Sequence, residues 1–303
     1  MKGEENICAP NKKSFDITCY DLNTLMALVN NYNEKTKGIK ININDKHTKQ
    51  EIYKKILNAV DCNNDGDVCL LNKVKSDSKY NELVDDFEKQ LKPEKPDSWK
   101  TEPKKWTSTT NIDNVMNQYD DAYKEFSYLG AVPIDFDDMI KGTDLCISDD
   151  LCKIDLKSHW ENGVTKIGVV FNLDAHNQPG SHWVSLFVDL KKAGIYYFDS
   201  TGRKPPSRVC VLMERIQKQG NSLLNSDESF KTFSNNNMHD IENKHEFRKF
   251  YNDIEHQTDN SECGVYSIFF LTEMLKGKTF LDFVENVYDD NYIFKFRDVY
   301  WRS

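Results

Sequence analysis

Residues 182–190 and 195–199 are two runs of apolar and aromatic side chains separated only by Lys-Lys-Ala-Gly, which reads as a hairpin. A further strand-like run, 167–171, precedes them, and another, 247–254, follows. Helical patterns bracket these strands. Ile112, Val115, Met116, Tyr119 and Tyr123 mark an amphipathic helix on the N-terminal side. After Ser207, Val209, Leu212, Met213 and Ile216 share one helix face. Residues 263–276 read as an apolar helix closed by Gly277, and shorter helical patterns at 280–287 and 292–300 complete the chain. Strands with helices at both ends place this part of the chain in the α+β class. No internal repeat is visible.

The first third has a different character. Leu22, Leu25, Met26 and Val29 follow the spacing of a helix face, Ile39, Ile41 and Ile43 alternate as in an extended segment, and Thr48 with Glu51 forms a capping box for a helix carrying Ile52, Ile56 and Val60. This predicts a small helix–extended–helix unit ending near Cys69. Residues 72–108 are rich in Lys, Asp, Glu and Ser and contain Pro93, Pro96 and Pro103, so they read as part solvated helix and part linker. The expected division is a helical module with linker over 1–108 and a main domain over 109–303.

Several classes of function are disfavoured. A formal net charge of -9 argues against wrapping by nucleic acid, although a local contact is left open. No apolar run approaches the roughly 18–20 residues that span a bilayer, so no membrane partner is expected. The segment Met1–Pro10 is polar and lacks a signal-peptide core, so secretion is not expected. Eight cysteines are sparse for a disulfide scaffold, which predicts a reducing compartment and mostly free thiols. The run Asp61-Cys62-Asn63-Asn64-Asp65-Gly66-Asp67 resembles half a calcium loop, but Asn72 stands where a glutamate is needed. The Cys62/Cys69 and Cys146/Cys152 spacings are not those of zinc sites, and His239 with His245 forms no metalloprotease pattern. No metal or cofactor is expected.

Four residues together suggest nucleophilic catalysis. Cys263 follows a polar loop and opens the apolar helix, where the helix dipole favours a thiolate, and Gly264 after it would let a substrate backbone approach. Taken alone, such a cysteine is more often a small buried hydrophobe. His182 opens one strand of the hairpin, and Asp199 ends the other, so paired strands would bring base and carboxylate to one sheet edge. Alone, each has a plain reading as a strand cap or a turn residue. Gln257 stands shortly before Cys263, where its amide would donate to a developing oxyanion beside the Cys263 N–H; its plain reading is a polar loop residue.

The order His182-Trp183, an aromatic strand ending at Asp199, then Gln257 and Cys263-Gly264 opening a helix resembles the cysteine proteases of the SUMO-protease and adenovirus-endopeptidase superfamily. The spacing of His182 and Asp199 is similar to that of SUMO proteases. The resemblance runs over about residues 111–303. Asn111-Ile112 with Val115-Met116 and Tyr119, Phe126 with Leu129-Gly130, and Pro133 with Asp135-Phe136 resemble more closely the thiol proteases of large nucleocytoplasmic DNA viruses. So do Cys19-Tyr20, Tyr32-Asn33 and the segment Cys62 to Leu70. African swine fever virus carries such a relative, with Asn at the position of Asp199. The resemblance implies a papain-like catalytic core over 109–303. His182 would be base, Asp199 orienter, Gln257 oxyanion donor and Cys263 nucleophile, with Trp183 walling a channel for glycines. It implies cleavage after Gly-Gly in a Gly-Gly-X site of a viral polyprotein or capsid scaffold, in the virion or the host cytoplasm. Competing readings are an isopeptidase acting on a ubiquitin-like modifier, an acetyltransferase, and a non-catalytic virion scaffold.

Overall fold

A computed structural model describes residues 7–10, 17–62, 66–237 and 246–303. The chain divides into one unit of Met1–Lys95 with Val299–Ser303, and a second of Pro96–Asp298. Among the described residues, no helix is long and apolar enough to cross a membrane.

The first unit contains α1 (Leu22–Lys35), α2 (Lys49–Val60), α3 (Gly66–Ser76) and α4 (Val84–Glu88), with a 3-10 turn at Ser78–Leu83. α1 begins where Asp21 accepts from the Thr24 N–H, and α2 begins at the expected Thr48–Glu51 capping box, each satisfying donors that a first helical turn leaves open. Leu25, Leu28, Val29, Ile52 and Ile56 share an apolar core with Leu70, Leu71, Val74 and Phe87. The extended segment at Ile39–Ile43 does not pair as a strand; the Asn33 side chain bonds the Ile41 N–H and C=O at 2.7 and 2.9 Å instead.

Residues 72–108 are far less of a linker than expected. Tyr80, Leu83, Phe87, Leu91 and Trp99 are buried, because large apolar residues recur at near-helical spacing beneath the charged surface. The units divide at Lys95 rather than at 108. Trp99 and Thr107 belong with the second unit, where they contact Arg297 and Trp183.

The cysteines require a second correction. Cys8–Cys19, Cys62–Cys69 and Cys146–Cys152 are disulfides, and only Cys210 and Cys263 are free. Their pairing depends on how backbone turns bring Cα atoms within 5.1–6.3 Å, which a count of cysteines does not register. Within the calcium-like run, residues 63–65 lie outside the described residues, as do His239 and His245. Asp67 is buried and accepts from the Thr18 hydroxyl at 2.6 Å and the Cys19 N–H at 2.8 Å.

The second unit is built on one five-stranded sheet in chain order: β1 (Phe126–Pro133), β2 (Lys166–Asn172), β3 (Trp183–Asp189), β4 (Gly194–Phe198) and β5 (Arg248–Tyr251). β1–β2 and β4–β5 are parallel; β2–β3 and the expected hairpin β3–β4 are antiparallel. Its helices are α5 (Thr109–Ala122), α6 (Asp149–Cys152), α7 (Leu156–Glu161), α8 (Ser207–Ser226), α9 (Glu228–Asn237), α10 (Cys263–Leu275), α11 (Phe280–Glu285), α12 (Asp290–Phe294) and α13 (Phe296–Tyr300). β1 escapes sequence reading because its register breaks between Tyr128 and Ala131; Asp113 and Asp120 of α5 accept from the Ala131 and Tyr128 N–H groups there.

β2 to β4 are covered on both faces and therefore read as near-continuous apolar runs. Ile167, Val169, Val184, Leu186, Ile195 and Tyr197 pack with Val209, Leu212, Met213 and Ile216 of α8. α10 covers the other face, buried along its whole length except Glu273, as a helix apolar on all sides must be. Phe198 stacks on Phe270 of α10 at 5.1 Å, and Phe283 and Phe296 close over the helix from behind.

Candidate active site

His182 lies one residue before β3 and Asp199 one residue after β4. The antiparallel register, with Ser185 opposite Phe198, brings these two strand ends together. His182 Nε2 is 2.7 Å from Asp199 Oδ1. Asp199 is itself fixed: Oδ1 accepts from the Thr201 N–H and hydroxyl, both at 2.8 Å. Its backbone N–H and C=O bond the Asn252 amide at 2.9 and 2.7 Å. With Nε2 held by the carboxylate, Nδ1 is the nitrogen left for another partner. The side chain of Cys263, the first residue of α10, interacts with the His182 ring.

The electrostatics favour a charged imidazole. Burial opposes it, but its interactions with the side chains of Asp199 and Cys263 prevail and raise His182 to about 9. A raised histidine contributes stability and a proton fully below its ordinary value near 6.5, and loses both as pH climbs through about 9. The kcat/KM profile is therefore expected to fall on its alkaline side with a midpoint near 9. Asp199→Asn, which keeps an acceptor but removes the charge, should move that limb to lower pH. An alkaline limb indifferent to this substitution would contradict the pairing as the source of the shift.

Gln257 is tied to the same strand end. Its Oε1 accepts from the Ser200 hydroxyl at 2.6 Å, and its backbone N–H donates to the Ser200 carbonyl at 2.8 Å. Its Nε2 donates one hydrogen to the Asp259 carbonyl at 2.8 Å, leaving a second N–H for an oxyanion. Trp183 is buried, its indole N–H donating to the Thr107 carbonyl at 3.1 Å. With Trp106, Ala131, Pro133 and His176 it lines a cleft of about 470 Å³. Gly264 packs closely against the cleft wall. It is buried, and a Cβ there would meet Thr107 Oγ1 at 1.9 Å and both Thr107 Cβ and Trp183 Cδ1 at 3.1 Å. Its missing side chain makes room for Thr107 and Trp183 of the cleft wall.

Sequence reasoning missed several residues around this site. Asn252 and Thr107 carry no motif, since each acts through a remote segment; Thr201 was foreshadowed only by the turn-like Asp-Ser-Thr-Gly run. On the cleft rim, His176 Nδ1 lies 2.6 Å from Asp135 Oδ2. Burial opposes the Asp135 charge, but the His176 hydrogen bonds prevail and hold that carboxyl below its usual range. Among the described residues, no three His, Cys, Asp or Glu side chains are grouped to hold a metal.

A family model described as the Ulp1 protease family, C-terminal catalytic domain, matches residues 151–300. A thiol protease of Acanthamoeba polyphaga mimivirus is 30% identical over 313 residues, spanning 98% of this chain and 94% of that protein. This chain belongs to the Ulp1 family of cysteine proteases. A cysteine protease of African swine fever virus is 33% identical over 132 residues, 43% of this chain and 41% of its own length. The crystal structure of the African swine fever virus protease matches this Ulp1-family protease with a TM-score of 0.63 at 20% identity, covering 99% of this chain and 96% of that one. That likeness establishes the shared α+β fold.

Proposed function

We propose that this cysteine protease cuts after Gly-Gly in viral polyproteins or virion proteins during particle maturation, with Cys263 as nucleophile. The observation that carries the reading is the enclosure of the thiol: Cys263 is 3% exposed and Trp183 beside the cleft is 5% exposed. In this reading the approach to so enclosed a sulfur is narrow, and a channel too tight for a Cβ would select glycine by excluding every other residue. The viral origin of the mimivirus and African swine fever virus relatives supports a virion substrate, met in the particle and the host cytoplasm where particles assemble.

In this reading the His182–Cys263 pair supplies a thiolate and an imidazolium. The thiolate attacks the carbonyl of the second glycine, and the oxyanion is held by the Gln257 amide and the Cys263 N–H. Imidazolium His182 protonates the leaving amine. It then takes a proton from the water that releases the acyl group, while Asp199 keeps the ring oriented throughout.

The test is a peptide panel beside a SUMO–fluorophore conjugate. Gly-Gly-X peptides are expected to be cleaved, and alanine in place of either glycine should lower kcat/KM by roughly 10–200-fold, the range one added methyl group commands. Indifference to alanine would remove the glycine reading, and strong preference for the conjugate would replace endopeptidase with isopeptidase.

A further inference from the structure

A buried ion pair stands directly behind the nucleophile. Glu262, the residue before Cys263, is 1% exposed, and Arg297 of α13 is 3% exposed. Arg297 Nε donates to Glu262 Oε2 at 2.9 Å and Nη2 to Oε1 at 3.0 Å, a two-pronged contact that fixes the carboxylate plane. The Ser261 hydroxyl adds a third hydrogen bond at 3.1 Å, and the guanidinium lies 4.1 Å from the centre of the Trp99 ring.

The role of this pair needs an explanation beyond stability, because burying two charges gains little over apolar side chains of similar size. Nor does the Glu262 side chain cap α10. Its position is instead adverse: a carboxylate next to a thiol that must ionise opposes the second negative charge unless the first is cancelled. Its backbone, meanwhile, opens the helix, the Glu262 carbonyl accepting from the Tyr266 N–H at 2.9 Å.

We infer that Arg297 is a positioning residue that clamps Glu262, and through it the Cys263 N–H, while cancelling the carboxylate charge beside the thiol. The inference rests on the reading of Cys263 as nucleophile. Other charged groups lie on neighbouring segments. His182 and Asp199 face the thiol from the sheet. Lys104 and Asp259 form an outer pair at 2.6 Å. Asp290 on α12 accepts from the Thr258 and Asp259 N–H groups. Lys104 also feels the Glu262 charge, but among the described residues Arg297 alone forms an ion pair with that carboxylate, so its removal should be felt at the sulfur.

The experiment uses the full chain carrying Cys210→Ser, which leaves Cys263 as the free thiol. Alkylation of Cys263 by iodoacetamide is followed against pH and located by peptide mass, alongside kcat and KM on a cleaved peptide. Alkylation that shows no reactive thiolate near neutral pH in the parent chain would sink the nucleophile reading itself. With that reading intact, Arg297→Gln should move the alkylation midpoint up by about one pH unit or more. It should also lower kcat at pH 7 at least tenfold, with KM little changed. Arg297→Lys keeps the charge and loses the fork, so its midpoint should stay while kcat falls. The double variant Glu262→Gln with Arg297→Gln carries no bare buried charge and should restore the midpoint. If Arg297→Gln does not fold, Glu262→Gln, which leaves the guanidinium uncancelled near the thiol, should move the midpoint down, and a parent-like midpoint there overturns the inference. A folded Arg297→Gln with an unshifted midpoint, or a double variant whose midpoint stays displaced, overturns the inference.

Discussion

Cys263→Ala should reduce peptide cleavage to background, a loss of roughly 10⁶-fold in turnover, the scale seen when a protease loses its nucleophile. The size follows from the way the site is built. In the proposed mechanism His182 and Asp199 charge and orient one sulfur: the imidazole is held at Nε2 by Asp199, and Cys263 interacts with the same ring. Without the sulfur only slow direct attack by water on the substrate carbonyl would be left. The fold should barely notice, since cysteine to alanine removes a single atom from a well-buried helix start. The variant is expected to melt within a few degrees of the parent while cleavage disappears. Residual turnover above about a thousandth of the parent rate would show that another residue attacks.

Gly264→Ala should damage both fold and catalysis. The added methyl has no room: it would lie 1.9 Å from Thr107 Oγ1 and 3.1 Å from Thr107 Cβ and Trp183 Cδ1. The hydroxyl can rotate away, but the Thr107 Cβ and the indole belong to the cleft wall, and Trp183 is anchored to the Thr107 carbonyl. Overpacking of this kind costs about 1–3 kcal/mol. The strain falls on the residue after Cys263, the proposed nucleophile, and misplacing a reacting atom by about an ångström costs about 10²-fold in rate. The expected result is a lower melting temperature together with a kcat reduced about 10²-fold, read by thermal unfolding and steady-state kinetics. Parent-like melting and kcat would mean that the wall yields freely and that Gly264 serves some other purpose.

The residues that sequence reasoning located best are those whose signal is local. The four-residue link 191–194 allows little but a hairpin, and a hairpin brings His182 and Asp199 to one edge, as the register shows. The capping box at Thr48 and the unbroken apolar run from Cys263 were equally legible, since caps and periodicity act within a few residues. β1 was not legible, because its bulge interrupts the alternation that marks a strand. The buried 80–99 stretch was misjudged because its many charges outweighed the few large apolar residues that decide packing.

By itself, then, the sequence determined the kinds of element, the order of the catalytic types and the family they indicate, because turn length, periodicity and motif order are all written over short spans. Only the tertiary structure decided which cysteines pair, that Arg297 neutralises Glu262, that His176 leans on Asp135, and that Gly264 makes room for Thr107 and Trp183. Apart from the short-range disulfides, these contacts join residues 35 to 157 positions apart. Long-range contacts are created by packing the sheet between its helices, and no local pattern encodes which distant side chains that packing will bring face to face.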